Sequence, residues 1–198
     1  LDRNPWILTP WYLHALWQAL NHNGYSADYV NHSILQKAEF ENGTISYGEM
    51  HYRVLIVANV ETIFPETAEA LLKYAQSGGK IIFIGSVPNR SAGLMNHEAD
   101  DEIVKNIMHR IISEHISNVR MVEEPAEDNL TEWAGEVMRE NVIAPTVRIS
   151  DADENLFYIH QVHQRRDIYF FTNTSRKCRF SFSAEFSTGT KTPWLWDA

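Results

Sequence analysis

His160 and His163 stand three residues apart in a strand-like stretch. That spacing sends their side chains to opposite faces, the wrong geometry for a shared metal ion. His109 and His115 are six apart with no carboxylate at helical ligand spacing, and none of the nine histidines belongs to an H-E-x-x-H signature. Cys178 is the single cysteine, which excludes an intrachain disulfide, a zinc knuckle and a C-x-x-C redox pair. It falls on an alternating stretch beside Phe180 and reads as packing rather than as a nucleophile. Gly85-Ser86 follows an apolar run but lacks the second glycine and the immediate helix of a nucleophile elbow. The glycines of SGGKIIFIG close a helix and precede a strand. A phosphate loop needs the reverse order, with amide N–H groups and a helix dipole facing the anion. Paired-carboxylate chemistry needs two acids roughly 5–10 Å apart on a rigid rim. The adjacent pairs Asp100-Asp101 and Glu123-Glu124 point apart or into solvent. No catalytic residue, metal ligand or cofactor is expected.

What remains is a set of polar residues at the carboxyl ends of expected parallel strands. In such sheets ligands bind there, near the switch in strand order. Asn31 and His32, then Asn59, Glu61 and Thr62, then Ser86, Asn89 and Arg90 fall in those places. Asn31, Glu61, Ser86 and Arg90 are the candidate ligand-binding residues. The competing reading is that Asn59 and Ser86 only satisfy loop backbone.

The elements that would position them follow from periodicity. Thr9-Pro10 reads as an N-cap and first helical residue, Leu13, Leu16, Trp17 and Leu20 recur at helical spacing, and Gly24 supplies a left-handed stop. Tyr25 to Asn31 reads as a strand, His32 to Lys37 as one helical turn, and Asn42-Gly43 as the turn of a small hairpin. RVLIVAN (53–59) is a continuous apolar run, as expected of a strand covered on both faces. A helix opens at Pro65, closes at Gly78-Gly79 and leads straight into KIIFIG (80–85). This is a βαβ unit. Ile103, Ile107 and Ile111 beside Val104, Met108 and Ile112 predict a helix over 98–114, NVRMVE (118–123) the next strand, and Asn129 with Glu132 a capping box. A first strand at Trp6 to Leu8 is optional. Beyond Pro145 only strands are expected, over 156–163, 168–173 and 178–186, with Trp194 and Trp196 opening another.

Composition narrows the partners. With 44% hydrophobic and 12% aromatic residues the chain can bury a core. Net charge is −9, and residues 96–140 hold twelve acids against four bases, which argues against nucleic acid. No apolar run has membrane-spanning length and no signal peptide is visible. Five N-x-S/T sequons, at Asn31, Asn42, Asn89, Asn129 and Asn173, read as chance in an Asn-rich chain.

Several motifs carry a resemblance. Asp28, Tyr29 and Asn31; Tyr52 and Leu55; Thr62, Pro65, Glu66 and Thr67; and Gly78 and Gly79 resemble the "DY-N", "Y-x-L", "T-PET" and "GG" signals of glycoside hydrolase family 106, the α-L-rhamnosidase type. Asp167 to Phe171 with Asn173, and Pro193 to Asp197, resemble its "DIYF-x-N" and "P-LWD" strands. The stretch is similar to a post-barrel α/β domain of those proteins, and to the flavodoxin-like, amidotransferase-like domain of family 42 β-galactosidases.

The resemblance implies an α/β fold: a flavodoxin-like, three-layer parallel sheet over 1–145, then an antiparallel β segment, part of a sandwich, over 146–198. It implies a fragment whose catalytic carboxylates sit on a separate barrel. The expected role is therefore a non-catalytic accessory domain of a polysaccharide-degrading α-L-rhamnosidase. Its partners would be the rest of the parent chain and its barrel, with carbohydrate or a homo-oligomer as further options, and its location periplasmic or secreted if the parent is bacterial. The alternatives are a carbohydrate-binding module using the strand ends, and a free-standing flavodoxin-like enzyme, which the missing phosphate loop and nucleophile disfavour.

Overall fold

The computed structural model describes residues 10–126, 129–150, 154–179, 181–187, 189 and 191–195. Along the chain lie α1 (His14–His22), α2 (His32–Lys37), β1 (Glu39–Glu41), β2 (Thr44–Tyr47), β3 (Met50–Tyr52), β4 (Val54–Ala58), β5 (Thr62–Ile63), α3 (Pro65–Gln76), β6 (Lys80–Ile84) and β7 (Arg90–Ser91). They are followed by α4 (His97–Glu114), β8 (Val119–Val122), α5 (Leu130–Glu140), β9 (Val147–Ser150), β10 (Leu156–His163), β11 (Arg166–Asn173) and β12 (Ser183–Phe186). Helices and a parallel sheet stand beside antiparallel strands, an α/β composition.

Packing gathers these elements into two units, residues 28–129 and residues 1–27 with 130–198. The expected division at residue 145 runs through the second of them. Helices α1 and α5 pack on each other, and α1 packs on β10. Backbone bonds explain the grouping: the Thr146 and Val147 N–H groups both donate to the Gly24 carbonyl, at 2.9 and 3.1 Å. Such a long-range tie leaves no mark on local periodicity.

In the unit 28–129, β4, β6 and β8 form a parallel sheet in that order, with Ala58 opposite Ile84 and Ile84 opposite Val122. The middle strand is buried on both faces, which its unbroken Ile81-Ile82-Phe83-Ile84 run requires. Against the sheet, α3 sets Ala68, Leu71, Tyr74 and Ala75, and α4 sets Val104, Ile107, Met108 and Ile111. Pro65 occupies the first turn of α3, where its missing N–H costs nothing. The expected βαβ unit is present. So is the hairpin, β1 with β2, turned by Asn42 (φ 50°) and Gly43 (φ 72°); a third strand, β3, extends it.

Residues 25–31 form no strand. Their polar side chains act locally instead: Asn31 Oδ1 accepts from the Ile34 N–H at 3.0 Å as the N-cap of α2, and Asp28 accepts from the Tyr52 hydroxyl at 2.7 Å. Tyr25 is buried but Tyr29 and Val30 are exposed, so the segment lacks the alternating burial of a strand with one face covered.

In the other unit, β10 and β11 pair antiparallel around a turn with Gln164 and Arg165 in the left-handed region, and β9 pairs with β12. One face of the β10–β11 pair buries Leu156 and Tyr158, with Tyr169 and Phe171 ringed around Tyr158. On the other face Ile159, Ile168 and Phe170 are exposed. The strand expected over 178–186 is confined to Ser183–Phe186. Upstream, side chains capture the backbone: Asn173 Nδ2 donates to the Cys178 carbonyl at 2.8 Å, and Ser175 Oγ accepts from the Lys177 and Cys178 N–H groups. Cys178 is therefore exposed rather than packed. Residues 191–195 form no strand either, and Trp194 and Leu195 face solvent. The expected elements at Trp6 to Leu8, and the positions of Thr9, Phe180 and Trp196, lie outside the described residues. Among the described residues no helix is long and apolar enough to cross a membrane.

Candidate ligand site at the strand ends

The parallel strands end together, and two of them, β4 and β6, exit through a residue suited to a tight turn. Asn59 follows β4 in the left-handed region at φ 50°, a conformation Asn tolerates better than most side chains. Gly85 follows β6 at φ 72°. Main-chain bonds fix both turns: the Asn59 N–H donates to the Ile84 carbonyl at 2.9 Å and the Gly85 N–H to the Val122 carbonyl at 3.0 Å.

Over Gly85 two flanking side chains converge. A Cβ at this position would lie 2.1 Å from Asn59 Oδ1 and 2.8 Å from Glu124 Oε1, so those oxygens lie within about 5 Å of each other. Only glycine leaves room for both. Next in the chain, Ser86 Oγ is shielded from solvent and has no hydrogen-bond partner among the described residues. Gly85 and Glu124 are exposed and Asn59 half-buried, so the cluster is open to solvent.

Of the candidates read from sequence, Glu61 and Arg90 are neighbours. The Asn89 N–H donates to the Glu61 carbonyl at 3.0 Å, and Thr62 pairs with Arg90 in the short parallel ribbon of β5 and β7. Both side chains are exposed. Asn31 is spent on capping α2, whose next residue, His32, sets its ring 5.2 Å from that of Phe64 at the N-cap of α3. Ser86 follows Gly85 in the chain. The three-stranded sheet runs in chain order, β4-β6-β8, so the switch in strand order that motivated these choices does not occur in it. Glu124, read from the sequence as one of an adjacent pair pointing apart or into solvent, stands two residues beyond β8.

Several acids elsewhere hold identified partners. Asp167 accepts from His160 Nε2 at 2.8 Å and from Lys191 Nζ. Burial opposes its ionisation, but the hydrogen bonds from Lys191 and His160 outweigh that and hold the carboxyl below its ordinary value. Asp101 accepts from the Ser91 N–H at 2.6 Å, and Glu102 and Glu114 pair with Lys105 and Arg110 along α4. His160 and His163 do occupy opposite faces of β10, His160 stacked on Tyr169. Among the described residues no group of three or more His, Cys, Asp or Glu could hold a metal ion.

Two comparisons bear on the arrangement. A protein of Formosa agariphila named "Putative beta-glucuronidase" is 26% identical over 178 residues, covering 88% of this chain and 14% of that protein. The chain therefore spans about one-seventh of the length of the relative it matches. The family described as alpha-L-rhamnosidase matches residues 8–198, nearly the whole chain. With its "T-PET" helix start, its paired glycines and its "DIYF" strand all in place, the chain belongs to the glycoside hydrolase 106 family of α-L-rhamnosidases.

Proposed function

We propose that this chain is a non-catalytic accessory module of a larger α-L-rhamnosidase-type glycoside hydrolase acting on polysaccharides, with the bond-breaking carboxylates carried by a catalytic barrel elsewhere in that parent. The observation that carries this reading is one of proportion: the family match runs through nearly every residue here, while the matched relative is about seven times longer. The side-chain chemistry supports it. Asp167, Asp101, Glu102 and Glu114 are tied to basic groups or backbone amides, and the Asp167 carboxyl is held below its ordinary value, the opposite of the raised acid that glycoside cleavage uses.

Within this reading the unit 28–129 is the core of a flavodoxin-like domain; the β4-α3-β6-α4-β8 alternation supports its parallel α/β sheet, with α3 and α4 packed on each other. The antiparallel strands of the other unit are part of a sandwich. The domain serves by packing against the rest of the parent chain, and a bacterial parent of this kind would work in the periplasm or outside the cell. Hydrolysis of an aryl α-L-rhamnoside by this chain alone is the test: no turnover is expected, and turnover above background that survives repurification overturns the reading.

A further inference from the structure

We infer that Asn42 is a site of covalent self-modification: its side-chain amide is lost to a succinimide closed by the Gly43 nitrogen, which water then opens to an aspartate or an isoaspartate. The inference stands apart from the scaffold role, which neither needs nor forbids this change.

The chain holds two Asn-Gly pairs, Asn23-Gly24 and Asn42-Gly43, and the fold treats them in opposite ways. A glycine after asparagine puts no side chain beside the attacking main-chain nitrogen and leaves the backbone free to turn toward the side-chain carbonyl carbon. Asn42 lies exposed at the tip of the β1–β2 hairpin, with Glu41 and Thr44 the last paired residues. Among the described residues no hydrogen bond holds the Asn42 side-chain amide or the Gly43 N–H. Asn23 is the reverse case. Its Nδ2 donates to the Ala19 carbonyl at 2.8 Å and to the Thr131 carbonyl at 2.7 Å. The next nitrogen, in buried Gly24, donates to the Asn21 carbonyl at 2.9 Å. Those bonds must break before Gly24 can attack.

At Asn42 the chemistry balances with water as the sole co-reactant. The Gly43 nitrogen gives its proton to solvent base and bonds to Asn42 Cγ, the Cγ–Nδ2 bond breaks, and the amide leaves as ammonia. Water attacking the ring at Cγ restores the original main chain with a side-chain carboxylate. Attack at the main-chain carbonyl reroutes the chain through Cγ and adds a carbon to the turn. That turn has no slack. A Cβ on Gly43 would lie 2.9 Å from the Gly78 carbonyl oxygen just beyond α3, and the hydroxyl of buried Tyr74 donates to the Gly43 carbonyl at 3.4 Å. A lengthened turn lifts the hairpin from α3 and takes that acceptor from Tyr74.

Peptide mapping by mass spectrometry tests the proposal on the intact chain, held for weeks at mildly alkaline pH with and without urea. In the folded chain Asn42 should convert to a carboxylate at least about tenfold faster than Asn23, which must first break its side-chain hydrogen bonds. In urea the two sites should react at similar rates. The isoaspartate form, separated from the unmodified chain by its added charge, should unfold at lower denaturant than Asn42→Asp, which carries the same charge on an unaltered main chain. An amide retained at Asn42 in the folded chain, Asn23 reacting as fast there, a gap that persists in urea, or an isoaspartate form as stable as Asn42→Asp would each overturn it. The rates come from the unaltered chain, so they decide the matter even if Asn42→Asp fails to fold.

Discussion

Asn21, on α1, acts as a strand neighbour for Tyr158 in β10: its Nδ2 donates to the Tyr158 carbonyl at 2.8 Å, and the Tyr158 N–H donates to its Oδ1 at 3.2 Å. One buried side-chain amide thus reproduces the paired bonds of a β-ladder, and a helix is fixed to a strand by main-chain polarity as well as by apolar contact. Asn21→Ala would leave both backbone groups of Tyr158 buried without partners. A loss of about 2–4 kcal/mol of stability is expected, visible as a lower midpoint in chemical denaturation with unchanged slope.

The two glycines after α3 should respond differently to alanine. Gly78 is at φ 86° with open space around it, so Gly78→Ala carries only the left-handed penalty of roughly 1–2 kcal/mol. At Gly79 a Cβ would lie 2.2 Å from Tyr74 Cε2, and Tyr74 is fully buried. Gly79→Ala should cost about 1–3 kcal/mol as the ring is driven off its site, and the near-ultraviolet circular dichroism of the tyrosines should change in this variant alone.

Acid should loosen the β10–β11 strands through Asp167. Its folded-state carboxyl titrates below the unfolded value, so its contribution is present above the unfolded value and is lost as pH falls through the folded one. Lys191→Ala should flatten the acid limb of a stability–pH curve. At the other extreme, burial raises Tyr74 to about 12, and burial with the Asp167 charge raises Tyr169 to about 12. Their contribution is intact below pH 10 and fades as pH climbs through about 12, so Tyr169→Phe should lessen the alkaline loss.

Cys178 should react with an aromatic disulfide reagent at nearly the same rate in the folded and unfolded chain, because it is exposed. Cys178→Ser should change stability by no more than about 0.5 kcal/mol. Slow, protected labelling would mean that it is packed after all.

Residues 28–129 contain their own core and should fold when expressed alone. A single cooperative thermal transition and dispersed amide signals are the expected outcome.

How far the sequence could be read depended on the range of the interaction involved. The Asn42-Gly43 turn, the Pro65 helix start and the Ile81–Ile84 run are local signals, and each produced the expected element. Tyr25 to Asn31 looked like a strand because apolar and polar residues mix there, but a strand needs a partner, and the Asn31 side chain had a closer use at the N-terminus of α2. Cys178 lost its alternating strand to Asn173 and Ser175, whose turn-forming bonds outcompete a ladder. Asn21 shows the same limit from the other side: nothing in a helical pattern announces a hydrogen bond to a residue 137 positions away. The candidate site was half legible. Asn59 and Ser86 follow strands that the apolar runs announce, whereas Glu124 and the convergence over Gly85 depend on strands lying side by side.

The discontinuous make-up of the unit formed by residues 1–27 and 130–198 also sets a timetable for biosynthesis. At roughly 5–20 residues per second, translation leaves α1 waiting several seconds or more for α5 and β10 to emerge. During that interval the intervening stretch can complete its own sheet, while Leu16, Leu20 and the polar Asn21 remain uncovered near the ribosome. A nascent chain stalled just before residue 130 should therefore engage chaperones through α1, and release them once the downstream strands have left the exit tunnel.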